Sequence, residues 1–124
     1  MATIEIMAIL VSTFTVTSYR SVPEQTDATP FITSIGQFVH PHGVAVSQDL
    51  LKNGTFRYGD HIYIEGLGIK VVNDTTNARL RNHVDVWVPT YADEKAIGWR
   101  KNVRIYRINV RKQRINVPVA ASRN

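Results

Sequence analysis

The chain contains no cysteine. Disulfide staples and Cys-type zinc sites are therefore excluded, and the redox compartment cannot be read from cysteine usage. Long apolar runs are missing as well, and nothing approaches the roughly 20 consecutive apolar residues of a membrane-spanning helix. The start, MATIEIMAILVSTF, is apolar but has no Lys or Arg before Arg20, and Glu5 interrupts it. It thus lacks the basic head and unbroken core of a secretory signal. Neither low-complexity segments nor internal repeats occur. Seven glycines and five prolines in 124 residues, 44% of them hydrophobic, describe one folded domain with its own core rather than a disordered protein.

Net charge is +5, with a pI near 9.8, and much of the excess comes late, in Arg100, Lys101, Arg104, Arg107, Arg111, Lys112 and Arg114. Such an excess suits a polyanionic partner such as peptidoglycan, nucleic acid or an anionic membrane surface, and selects none of them. No basic motif interleaved with aromatics accompanies it, which disfavours nucleic acid.

Residues 3–19 are rich in Thr, Ile, Val and Phe and alternate loosely, predicting a strand that ends near Tyr19. Arg20 to Pro30 reads as loop, and Phe31 to Ile35 as a short strand stopped at Gly36. His40 and His42 are spaced like a metal pair, but they flank Pro41 with no third ligand, so the expectation is a turn, with no metal and no cofactor. Val44 to Val46 is a brief strand, and Ser47 to Leu51 suits one helical turn. Asn53-Gly54 and Tyr58-Gly59-Asp60 mark turns, and His61 to Glu65 alternates cleanly. Tyr91 to Gly98 is the one good helix, and Val103 to Val110 alternates again. Seven short strands with turns between them favour a small closed barrel over a sandwich. Residues 1–110 form the domain, and 111–124 a basic tail in which Val117-Pro118-Val119 could dock on a neighbouring chain.

Between these elements lies GLGIKVVNDTTNARLRNHVD, Gly66 to Asp85. A glycine-relieved apolar strand (Ile69, Val71, Val72) runs into Asp74, a polar connection follows, and a second strand carries Asp85, Val86, Trp87 and Val88. Two carboxylates at strand ends either cap turns or carry chemistry on a rigid scaffold.

With those residues laid out, the chain resembles the 3D domain family, named for three aspartates, which includes membrane-bound lytic transglycosylase A and the stationary-phase survival proteins of wall-remodelling bacteria. The matches are Thr17-Ser18-Tyr19, Val44-Ala45-Val46, Tyr58-Gly59-Asp60, Glu65-Gly66-Leu67-Gly68, Asp74-Thr75-Thr76, Val84-Asp85, and Gly98 before Val103 to Ile108, in family order. The family's first aspartate corresponds to Ser47, with Asp49 two positions later, and its Asp-Thr-Gly has become Asp74-Thr75-Thr76.

The resemblance implies a mainly β fold, a six- to seven-stranded double-psi β-barrel with one short helix. It further implies a lytic transglycosylase that cleaves the β-1,4 bond between N-acetylmuramic acid and N-acetylglucosamine to a 1,6-anhydro product. A single carboxyl acts first as acid and then as base. Asp85 is the implied acid, with Asp74 beside it to raise its pKa or orient it. Tyr19, Asp49, Thr75, His83 and Trp87 are the candidate substrate-binding residues. Trp87 and Trp99 suit either sugar stacking or the core. The alternative reading is a non-catalytic barrel that binds glycan or serves as a structural module, for example in a phage virion. Implied partners are peptidoglycan strands and, through the tail, other virion or cell-wall proteins; the implied location is the cell wall or periplasm if the protein is exported, or a virion.

Overall fold

The computed structural model describes residues 2–22 and 31–114. The elements run β1 (Ala2–Tyr19), β2 (Gly43–Val46), α1 (Gln48–Lys52), β3 (His61–Ile64), β4 (Gly68–Thr75), β5 (His83–Trp87), α2 (Tyr91–Ile97) and β6 (Arg100–Arg114). The six strands form one sheet that closes in a ring, in the order β1-β5-β2-β4-β3-β6. The β1–β5 and β2–β4 pairings are parallel and the other four antiparallel.

The fold is mainly β, as expected, but differs from the sequence reading in three places. Phe31 to Ile35 is not a strand. Its only ladder contact is the isolated bridge Ile32↔Phe38, because the Thr33 amide turns back to the Gln37 carbonyl and the Ser34 amide donates to the Asp74 carboxylate at 2.9 Å. There are two helices rather than one, since the turn after Ser47 closes as α1 and buries Leu50. Finally, β6 continues through Arg111–Arg114, the first residues of the expected tail, which pair in register with Glu5 to Ala2. Val117 to Val119 lie outside the described residues. No helix among the described residues is long and apolar enough to cross a membrane.

Strand alternation sorts the ring into an inside and an outside. Val16, Val44, Val46, Ile62, Ile64, Val72, Val84, Val86 and Ile105 point inward and are buried. Phe14 and Phe56 fill the interior with ring centroids 5.3 Å apart. The outward face of β1 and β5 carries Thr15, Thr17 and Tyr19 opposite His83, Asp85 and Trp87.

One irregularity decides where Asp74 goes. Val44 pairs with Val72, yet Ala45 pairs with Asp74, so Asn73 is an extra residue in β4. Without it Asp74 would share the inward face of Val72, because side chains alternate with a period of two. The bulge moves the carboxylate to the outer face. Asn73, 2% exposed, tucks against Gly43, where a built Cβ would lie 2.6 Å from its amide nitrogen. The β3–β4 turn closes on Gly66 and Gly68, whose φ values of 83° and 92° favour glycine.

Candidate active site

The parallel and antiparallel registers combine into one row across four strands. Thr17 on β1 faces Asp85 on β5, Asp85 faces Ala45 on β2, and Ala45 faces Asp74 on β4. The two aspartates thus sit two strands apart on the same face, roughly 10 Å between Cα atoms at ordinary strand spacing. The residue between them is small and buried.

Their environments differ. Asp74 is held on both oxygens: Oδ1 accepts from the Ser34 amide (2.9 Å) and the Thr75 amide (2.8 Å), and Oδ2 accepts from the Tyr19 hydroxyl (3.2 Å). It clasps the 31–42 loop and β1 to β4. Asp85 receives one hydrogen bond, from Thr17 Oγ1 at 2.9 Å. Burial drives its pKa upward; the Thr17 hydrogen bond opposes this, while the charges of Glu94 and Asp74 add to it, and the carboxyl reaches about 7. At neutral pH Asp85 is therefore poised between acid and carboxylate.

Thr17 links Asp85 to His83, whose Nε2 lies 2.6 Å from the same hydroxyl. A hydroxyl has one proton to give. When Asp85 is ionised, Thr17 donates to it and accepts from His83 Nε2–H. When Asp85 is protonated, the chain can reverse, with Asp85 donating to Thr17 and Thr17 to His83. Burial lowers the His83 pKa, which favours the neutral ring this exchange requires. The ring stands edge-on to exposed Trp99 at 5.5 Å.

Glu94 enters from α2, a helix fixed over the end of β1. Thr90 caps it by accepting from the Asp93 amide. The Glu94 carbonyl accepts from Ser18 Oγ, and its carboxylate pairs with Arg20 at 3.3 Å. Burial and the negative charges of Asp74 and Asp85 drive the Tyr19 phenol far above its ordinary pKa, so it stays a donor.

The other candidates are placed as follows. Trp87 is two positions beyond Asp85 on the same face, with Nε1 donating to Ser21 Oγ at 2.8 Å. Together with Pro41, Lys70, Ala96, Ile97 and Arg100 it lines a cavity of about 400 Å³ at the α2 end of the ring, which Asp85 itself does not line. Thr75 Oγ1 donates to the Val46 carbonyl, joining β4 to β2. Asp49 stands on α1 and accepts from the Asn82 amide at 3.1 Å, outside the row. Burial alone would raise its pKa, but hydrogen bonding, first from the Ser47 hydroxyl and then from the Asn82 amide, outweighs it and keeps Asp49 below the usual carboxylate range. Ser47 lies beside His83 on the outer face, exchanging backbone and side-chain bonds with it.

His40 serves its turn, accepting from the His42 amide at Nδ1 and from the Gly43 amide at its carbonyl. Among the described residues no group of three His, Cys, Asp or Glu side chains could hold a metal ion. Sequence reasoning missed the parts played by Thr17, Glu94 and Ser34. For Thr17 the signal was present, two residues before Tyr19 and hence on the same strand face; for Glu94 and Ser34 there was none. Compared with known proteins, the chain matches no family model and no curated sequence.

Proposed function

We propose that this is a double-psi β-barrel of the 3D type acting as a peptidoglycan lytic transglycosylase, with Asp85 as its single acid and base. The observation that carries the reading is the setting of Asp85. A carboxyl on the outer face of a rigid sheet, half-buried, with one neutral hydrogen-bond donor and a pKa near 7, is tuned for general acid work at neutral pH. The alternation of parallel β1–β5 and β2–β4 pairings with antiparallel ones is consistent with double-psi connectivity.

In the proposed reaction Asp85 protonates the glycosidic oxygen as the bond from the muramic acid C1 breaks, releasing N-acetylglucosamine at its 4-hydroxyl. The C6 oxygen of the same muramic acid then bonds to C1, and the Asp85 carboxylate takes the C6 hydroxyl proton. The acid is thereby regenerated, and no water is consumed. Asp74 stays clasped and contributes its charge. The cavity beside Trp87, with Lys70, Arg100 and Asp93 in its lining, has the size of a small ligand site and would hold the flanking sugar or its peptide.

Incubation of the full chain with purified peptidoglycan should yield 1,6-anhydro-muropeptides, detected by mass spectrometry. Asp85→Asn should reduce their rate by about 10²–10⁴-fold, the range for loss of general acid catalysis. Product formed equally by the variant removes Asp85 from its role. If the wild type gives none, the glycan-binding or structural reading takes over.

A further inference from the structure

Half of β1 and half of β6 leave the ring. Strand β1 meets β5 only from Thr15 onward, and β3 meets β6 only at Ile105–Arg107. Beyond those points Ala2 to Ala8 pair with Arg114 to Ile108 alone, seven cross-strand pairs in all. They make a ribbon roughly 24 Å long at about 3.4 Å per residue. Among the described residues no strand lies along the outer edge of Ile4 to Ala8 or of Ile108 to Lys112. A two-stranded ribbon is marginal in water by itself, and long unpaired edges are templates for another strand.

The ribbon is two-faced. Ile4, Ile6, Ala8 and Leu10 lie opposite Lys112, Val110, Ile108 and Tyr106, so one face is apolar nearly to its tip. Ile4, Ile6, Leu10 and Val110 are 65, 70, 52 and 67% exposed. The other face carries Thr3, Glu5, Met7 and Ile9, the last three opposite Arg111, Asn109 and Arg107. That face is mixed, polar or charged at Thr3, Glu5, Asn109, Arg107 and Arg111 and apolar at Met7 and Ile9, whereas the first is apolar throughout but for Lys112, the contrast of a sheet with one face packed and one in water. At the foot of the ribbon the apolar face continues onto the ring through Tyr106, Tyr63 and Ile69, which share Leu10's row.

The edges also differ in charge. From Ala2 to Leu10, β1 has Glu5 and no basic residue; from Tyr106 to Lys112, β6 has Arg107, Arg111 and Lys112 and no acid. Like edges would bring like charges together, whereas unlike edges set an acid beside bases.

We propose that this ribbon binds a second copy of the chain, the β6 edge of one copy pairing with the β1 edge of the next, with the apolar face enclosed. Such head-to-tail contacts either close into a ring or run on as a filament. Closure is selected here, since curling the added strands toward the apolar side buries it. Three ribbons supply six strands, the number that already closes around Val, Ile and Phe side chains within the chain itself. The assembly requires nothing of Asp85 and stands apart from the proposed activity.

The test is the solution mass of the full chain by light scattering and native mass spectrometry at tens of micromolar. The expected species is a closed oligomer, with three copies the smallest that fits. Ile6→Lys puts a charge on the enclosed face and should raise the concentration needed for assembly at least ~100-fold, as loss of a buried interface anchor does. Met7→Lys, on the opposite face one residue along, should assemble as the wild type does. Hydrogen exchange supplies a second readout: the outward amides of residues 4–8 and 108–112 should be protected in the wild type and lose that protection in Ile6→Lys. A monomeric wild type overturns the proposal, as does an oligomer that Ile6→Lys leaves intact or that Met7→Lys breaks equally.

Discussion

Replacing Asp85 by Asn should make the protein more stable at alkaline pH, and the amount follows from the carboxyl's environment. Asp85 rises from a usual value of 3.8 to about 7 on folding, because burial and the charges of Glu94 and Asp74 outweigh the Thr17 hydrogen bond. Below pH 3.8 both folded and unfolded chains hold the proton, and Asp85 costs nothing. Between 3.8 and about 7 the unfolded chain ionises while the folded one does not. The folded state then binds more protons, so stability falls as pH rises. Above 7 the folded carboxyl ionises too and the loss levels off. At about 1.4 kcal/mol per pH unit, the full loss is on the order of 4 kcal/mol. Asn keeps the shape and the acceptor for Thr17 but does not titrate. Wild type and Asp85→Asn should therefore melt alike near pH 4 and diverge through pH 4–7. The variant should be higher by about 10 °C or more at pH 8–9, taking a few degrees for each kcal/mol in a domain of this size. Thermal melts by circular dichroism across pH 4–9 read this directly, and comparing the two curves cancels the titrating groups that Asp85 does not influence. Parallel curves would refute the claim that Asp85 is kept protonated by folding, and with it the basis for an acid at this position.

Two further perturbations address the same site and its support. Thr17→Val removes the one hydrogen bond that favours ionised Asp85, so the Asp85 midpoint, followed by carbon NMR of its carboxyl, should move above 7; a midpoint that falls would reverse the assigned role of Thr17. Gly43→Ala drives a methyl into buried Asn73 at the β4 bulge and should cost about 1–3 kcal/mol, as overpacking does. The urea midpoint measures it, and an unchanged midpoint would mean that the bulge has room to yield.

Much of the fold could be read from alternation. The outward set Thr15, Thr17 and Tyr19 and the inward set Ile62 and Ile64 are visible as period-two patterns, and the ends of β1 and α2 fall where Tyr19 and Gly98 place them. Segments whose backbone partners are side chains stayed hidden. Phe31 to Ile35 has strand composition, but its amides go to a turn and to Asp74, and no local pattern encodes a carboxylate forty residues away. The free halves of β1 and β6 show a related gap. Their alternation is legible, yet nothing local tells whether an apolar face meets its own domain or another copy.

For the site, residue types could be read but their grouping could not. Counting outward from Val72 places Asp74 on the inner face, and only the extra residue at Asn73 turns it outward into register with Ala45 and Asp85. A bulge leaves no signature in composition, so the meeting of the two aspartates belongs to the tertiary structure alone. The same holds for the charge that keeps Asp85 protonated. Sequence spacing nominates Asp74, yet both Asp74 oxygens are committed to Ser34, Thr75 and Tyr19, and Glu94, reaching in from α2, contributes more. Ser47 stands where a third acid is expected, beside His83 and one row from Asp85. Its hydroxyl is occupied as an acceptor for the His83 amide, the contact that sets the start of β5. A serine rather than a carboxylate at position 47 is therefore compatible with the elevation of Asp85, because that elevation rests first on burial and, among the neighbouring charges, first on Glu94 of α2.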